Sequence, residues 1–207
     1  MKNNLGYALN SDESERKETI KILFQDRFNI KLLDIKEISN PESLTSPDFK
    51  FIKDGKTIFI AELKTFIQTR PTENEPLGYK RVGKFWEKSD NTPSKVAGRI
   101  KKAYSQLERY KKFPKIIMFL NESIDVDHID LKSALTGKIS FYDDNSNEEI
   151  LELYEHISNG EINKIKSGID LYIWIDAPSY MSRPDFEIKF FYTNKIGECI
   201  IKDYFST

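Results

Sequence analysis

The sequence predicts an α/β (α+β) domain built on a central sheet, and three observations carry that prediction. The 207 residues fit one domain of ordinary size. A hydrophobic fraction of 39% with 13% aromatics is enough to fill a sizeable core. Between residues 12 and 121, helical and strand-like apolar patterns follow one another as helix, strand, strand, strand, helix, strand.

The first helix is predicted over 12–28, "DESERKETIKILFQDRF". Asp12 can cap the free N–H groups, with Glu15 as the reciprocal half of a capping box, and Ile20, Leu23, Phe24 and Phe28 recur at helical spacing. "IKLLDIKEI" (30–38) reads as a strand. Two more strands, 48–53 and 56–64, flank Asp54-Gly55, a hairpin signal. A polar loop is expected over 65–92. A second helix then starts at Thr92 and Pro93, where the missing N–H of proline costs nothing, and Pro114 ends it. "KIIMFLN" (115–121) is a short buried strand. Further on, the patterns predict a strand at 138–142, a helix at 147–158, and strands at 169–176, 186–193 and 198–204. Residues 122–207 are therefore expected to extend or pack on a core spanning 1–121, one domain in all.

Cys199 is the single cysteine, and His128 and His156 stand 28 residues apart, so neither a disulfide framework nor a thiolate or histidine metal site is predicted. No apolar run reaches the roughly 18–20 residues of a membrane span, and a soluble cytoplasmic protein is expected. The net charge of −1 conceals segregation. Residues 64–112 hold 13 Lys and Arg against 5 Asp and Glu, while 121–176 hold 4 against 13. A basic stretch of this kind suits a polyanion, and the acidic 121–176 region is expected to dock a partner protein or a second copy of the chain.

The hairpin collects charged groups at one end. Glu62 and Lys64 lie two apart on one strand and share a face. Asp48 joins them only if the hairpin register has the right parity. A two-residue loop at Asp54-Gly55 pairs 48 with 61 and sends Asp48 to the other face. A three-residue loop, Lys53-Asp54-Gly55, pairs it with 60, diagonally beside Glu62, and Gly55 permits the left-handed residue that such a loop needs. Two carboxylates so placed repel each other unless a cation lies between them, and a hard divalent ion meets that need. A lysine alongside can hold a water or offset charge on a phosphate. An ordinary salt bridge at a strand end is the competing account.

Pro47-Asp48 followed by Glu62-Leu63-Lys64, on this order of elements, resembles the PD-(D/E)xK nuclease superfamily, the restriction-endonuclease-like fold. The resemblance covers roughly 12–121 and implies an αβββαβ core with a mixed central sheet. It implies a Mg²⁺-dependent nuclease (Mn²⁺ a substitute) that cuts DNA, RNA being left open, to give a 5′-phosphate. By position, Asp48, Glu62 and the Leu63 carbonyl would hold the metal, and Lys64 would place or activate the attacking water. Gln106 and Tyr110 resemble the Q-x-x-x-Y helix motif of one branch, which supports the site and contacts DNA. A first-helix Glu lines the metal site in many members, and Glu13 is the choice here, because it falls on the Ile20 stripe.

Around this site, Arg70, Lys80, Arg81 and Lys84, interleaved with Phe66, Tyr79, Phe85 and Trp86, together with Arg99 and Lys102 of the following helix, suit a single-stranded or splayed nucleic acid. A second match, Pro184-Asp185 and Glu187-Ile188-Lys189, lies on one strand with no second strand between its parts and is read as a charged stripe on a solvated face. A catalytically silent binding or assembly subunit that keeps the nuclease fold is the alternative function.

Overall fold

The computed structural model describes residues 12–35, 46–67, 79–82, 85–88, 92–123, 126–142, 149–154, 162–177 and 186–206. Their elements are α1 (Glu13–Phe28), β1 (Lys31–Asp34), β2 (Phe49–Lys53), β3 (Lys56–Ile67), β4 (Tyr79–Val82), β5 (Phe85–Lys88), α2 (Thr92–Leu107), β6 (Lys115–Glu122), α3 (His128–Thr136), β7 (Lys138–Tyr142), β8 (Glu149–Tyr154), β9 (Leu171–Asp176) and β10 (Glu187–Tyr192). A C-terminal helix, Lys195–Ile200, runs on into a π-helical turn, Ile201–Phe205. No helix among the described residues is long and apolar enough to cross a membrane.

Six strands form one mixed sheet in the order β1-β2-β3-β6-β9-β10. The β1/β2, β2/β3 and β9/β10 pairs are antiparallel, whereas β3, β6 and β9 run parallel. Helix cover on both faces explains the unbroken apolar run of β6. Ile116, Met118 and Leu120 face a core with Ile20 and Phe24 of α1 and Phe205 of the C-terminal turn. Ile117 and Phe119 face the opposite core, with Val96, Ile100 and Leu107 of α2 and Leu131 of α3. Each such side chain, removed from water, contributes about 1.5–3 kcal/mol.

Helix α1 begins at the cap its sequence predicts, with the Asp12 half of the box formed. The Asp12 side chain accepts the Glu15 N–H at 2.9 Å, and Asn29 closes the far end in the left-handed conformation, φ 53°. Residues 31–34, 49–53 and 115–122 form strands as expected, and β9 and β10 add to the same sheet as β6.

Five expectations are corrected. Residues 149–154 pair with β7 as a strand, not a helix, because cross-strand pairing overrides the helix preference of a Glu/Leu-rich segment. Residues 198–204 are helical. Asn194 caps that helix by accepting the Gly197 N–H at 2.9 Å, and a Cβ on Gly197 would lie 2.0 Å from the Asp170 carbonyl oxygen, so only glycine lets the helix seat there. Helix α3 was not anticipated, although Asp127 and Asp130 form a capping box and Gly137 (φ 71°) ends it. The supposed loop 65–92 contains the end of β3 and the β4/β5 hairpin. Finally, α2 stops at Leu107, seven residues short of Pro114.

Candidate active site

The hairpin that delivers the carboxylates differs from both simple loop alternatives. Its turn has two residues, Asp54 (φ 50°) and Gly55 (φ 73°), with Lys53 opposite Lys56. Two successive left-handed residues make the type I′ turn that matches strand twist. That register alone would send Asp48 to the wrong face. A β-bulge corrects it: Ile52 pairs with Thr57 but Phe51 pairs with Phe59, so Ile58 is the extra residue. Beyond the bulge Phe49 stands opposite Ala61, which brings Asp48 level with Glu62 instead of Ala61, where the turn alone would put it. One inserted residue has changed the parity of the strand.

Asp48 is held at both oxygens. Its Oδ2 accepts the Leu63 N–H at 2.9 Å, and its Oδ1 lies 2.6 Å from Lys17 Nζ of α1. In a strand, the N–H and C=O of one residue leave on the same side, so the Leu63 carbonyl also points toward the Asp48 edge of β3. Glu62 is only 3% exposed. Lys64 Nζ donates to its Oε1 at 2.5 Å and to Gln106 Oε1 at 3.0 Å. The other Glu62 oxygen, Oε2, is buried with no hydrogen-bond partner among the described residues. An orphaned acceptor of this kind costs about 1–3 kcal/mol, and more when charged.

These contacts shape the proton affinities. Burial pushes the Glu62 carboxyl up to about 7, the Asp48 charge adds to the rise, and Lys64 only partly offsets it. Burial would lower the Lys17 ammonium, but hydrogen bonds to Asp48 and Glu13 outweigh it and raise Lys17 well above the ordinary lysine value. Lys17 in turn holds Glu13 below the usual carboxylate range.

A cavity of about 580 Å³ opens over this cluster, between the N-terminal turns of α1, the loop before β2, the middle of β3 and the inner side of α2. Asp48, Glu62, Leu63, Lys64, Gln106, Glu13 and Arg99 all line it. Two expected members are placed differently. Tyr110 lies past the end of α2, packs against the core beneath that helix and carries the Arg109 guanidinium 5.2 Å over its ring. The Gln106/Tyr110 pair therefore does not share a helix face; Gln106 alone reaches the cavity. Glu13 lines the cavity but touches the cluster through Lys17, at 2.8 Å, and its side chain is 78% exposed. The residue that α1 turns inward at this level is Arg16.

Among the nucleic-acid candidates, Lys102 sits on the exposed side of α2 and Arg99 in the cavity wall. Lys80 and Arg81 fall on strand β4, and Arg70 and Lys84 lie outside the described residues. Sequence reasoning missed Arg16 and Lys17. The available signals were a charge four residues ahead of Ile20 on an apolar stripe, and the Glu13/Lys17 spacing of four.

Among the described residues no three His, Cys, Asp and Glu side chains gather as a metal cluster. A divalent ion would rest on two carboxylates and a backbone oxygen, which fits the habit of Mg²⁺ of keeping several waters. The unpartnered Glu62 oxygen fits it too. No family model, curated protein or solved structure matches the chain.

Proposed function

We propose that the protein is a divalent-metal-dependent nuclease that hydrolyses phosphodiester bonds of DNA in this cavity. The observation that carries the reading is the bulged hairpin, which sets Asp48 level with Glu62 while Lys64 shares the face of Glu62. That arrangement reproduces, in space, the pattern by which the sequence resembles PD-(D/E)xK nucleases. The six-stranded mixed sheet is compatible with the restriction-endonuclease-like core that the resemblance implies.

Asp48, Glu62 and the Leu63 carbonyl would hold the ion. When bound, Mg²⁺ supplies charge neutralisation at the phosphate and makes a water a better nucleophile. The chain's own residues do the rest. Lys64 projects beside the carboxylates and is steadied by Gln106, so its ammonium can hold the attacking water or the phosphate oxygens. The water oxygen bonds to phosphorus as the P–O3′ bond breaks, leaving a 5′-phosphate and, after protonation, a 3′-hydroxyl.

Asp48→Asn keeps the shape of the side chain and removes its charge. It is expected to reduce Mg²⁺-dependent cleavage of single- and double-stranded DNA about a thousandfold, with an unchanged circular-dichroism spectrum. Full activity in that variant would end the assignment. One observation favours a second reading, a silent binding subunit: Lys17 and Lys64 already neutralise the two carboxylates. Absence of any Mn²⁺ binding by calorimetry would select that reading.

A further inference from the structure

Among the described residues the cavity is lined by four cations, Arg16, Lys17, Lys64 and Arg99, and four carboxylates, Glu13, Asp34, Asp48 and Glu62. Most of these charges are matched. Lys17 takes Asp48 and Glu13, Lys64 takes Glu62, and Asp34 is held by Lys21 at 2.7 Å. Arg16 is paired outside the cavity, with Glu122 at the end of β6. Arg99 has no carboxylate partner among the described residues; its guanidinium lies 4.4 Å over the Phe66 ring, half-buried. Burial without an anion disfavours its charge and draws its proton affinity down.

Arg16 is equally specific in its placement. It is 9% exposed on the inner face of α1, a costly position for a charge unless it is paired. Glu122 receives it through Nε alone, at 3.1 and 3.0 Å to its two oxygens. The terminal nitrogens of the fork have no other partner among the described residues, and the side chain lines the cavity. A guanidinium fixed by its Nε presents its remaining donors in one plane, the geometry that suits a phosphate.

We propose that Arg16 and Arg99 form a phosphate clamp, engaging the backbone phosphate of a single-stranded nucleic acid that enters the cavity, with Glu122 and Phe66 as the residues that position the two guanidiniums. The clamp rests on the nuclease reading for the identity of its substrate, but it acts without a metal. A space of about 580 Å³ is the size of a small-molecule site, enough for a nucleotide or two of a single strand.

The test is fluorescence-anisotropy binding of a 5′-phosphorylated oligothymidylate in EDTA, over a range of salt concentrations. Arg99→Ala should weaken binding tenfold or more and lower the slope of log affinity against log salt by about 0.7, the share of one phosphate contact on a single strand. Arg16→Met alone would leave the half-buried Glu122 carboxylate unpaired, so the Arg16→Met/Glu122→Met double variant is used, and the same loss is expected. Inorganic phosphate should compete with the strand for the wild type and compete less well for either variant. Unchanged affinity, or weakened affinity with an unchanged salt slope, overturns the clamp. Because the assay contains no metal and no cleavage, a protein that binds in this way yet fails to cut with Mg²⁺ sinks the nuclease reading and leaves the clamp standing.

Discussion

Glu62-Leu63-Lys64 on β3 and Glu187-Ile188-Lys189 on β10 spell the same motif, and each forms its own Glu–Lys ion pair, at 2.5 Å and 3.0 Å. Both pairs point to the sheet face covered by α2 and α3, since Ile188 and Phe190 pack on the opposite side and Phe191 on this one. Their surroundings separate them. β3 is interior, with β2 and β6 on either side, whereas β10 is an edge strand. The Glu62 side chain is 3% exposed and that of Glu187 is 63% exposed. Glu62 faces a second carboxylate delivered by a neighbouring strand; Lys189 instead meets the His128 ring at 3.1 Å. The motif is therefore inert as a string. A buried strand bulged at Ile58 and a partner strand that adds Asp48 convert it into a candidate site.

The largest expected contrast is in activity. Lys64→Ala removes the ammonium beside the carboxylates and should reduce Mg²⁺-dependent cleavage by about 10²–10⁴. Lys189→Ala should leave the rate unchanged, because Lys189 is absent from the cavity lining. Equal losses in the two variants, measured on the same substrate, would erase the distinction between the strands.

The next contrast is in stability, and its sign is opposite to that of an ordinary salt bridge. Glu62 binds its proton more tightly in the folded chain, at about 7 against an ordinary 4.5. Between those values the folded state holds the extra proton, so the stability contributed by this group is complete below about 4.5 and is lost as pH rises through about 7. The shift corresponds to about 3 kcal/mol. Glu62→Gln should therefore be more stable than wild type at pH 8 by up to about that amount, with the difference shrinking toward pH 4.5 in chemical denaturation. Glu187→Gln should differ from wild type by less than about 0.5 kcal/mol throughout. A destabilised Glu62→Gln at pH 8 would mean that the Lys64 pairing outweighs burial and repulsion.

This contrast also marks how far the sequence could be read. The charged trio was legible because Asp48, Glu62 and Lys64 are polar groups set among strand residues, and β6 was legible as an uninterrupted apolar run. The device that unites them was not. Ile58 is an apolar residue in an apolar segment, and nothing in its identity shows that it is left out of the ladder. The C-terminal helix was hidden similarly, since Ile200 and Ile201 favour a strand by propensity while the Asn194 cap and the close approach of Gly197 to Asp170 decide for a helix. Arg16 and Lys17 were hidden because their partners, Glu122 and Asp48, come from distant parts of the chain.

Lys17 supplies the smallest and most discriminating effect. Its ammonium lies 2.6 Å from Asp48 and 2.8 Å from Glu13, so it occupies the ground a divalent ion would claim beside Asp48. β10 has no counterpart to this cation from another element: among the described residues Glu187 is paired only with Lys189 on its own strand. Lys17→Met retains much of the apolar stem and removes the charge. Without metal it should be less stable, because Asp48 loses its partner while remaining close to Glu62. Calorimetric titration should show Mn²⁺ binding about tenfold tighter than in wild type, since the ion no longer competes with a resident positive charge, and added Mn²⁺ should restore the melting temperature more in the variant than in wild type. If Mn²⁺ binds both proteins equally, the ion does not enter beside Asp48, and the two Glu-x-Lys pairs are closer in kind than their burial suggests.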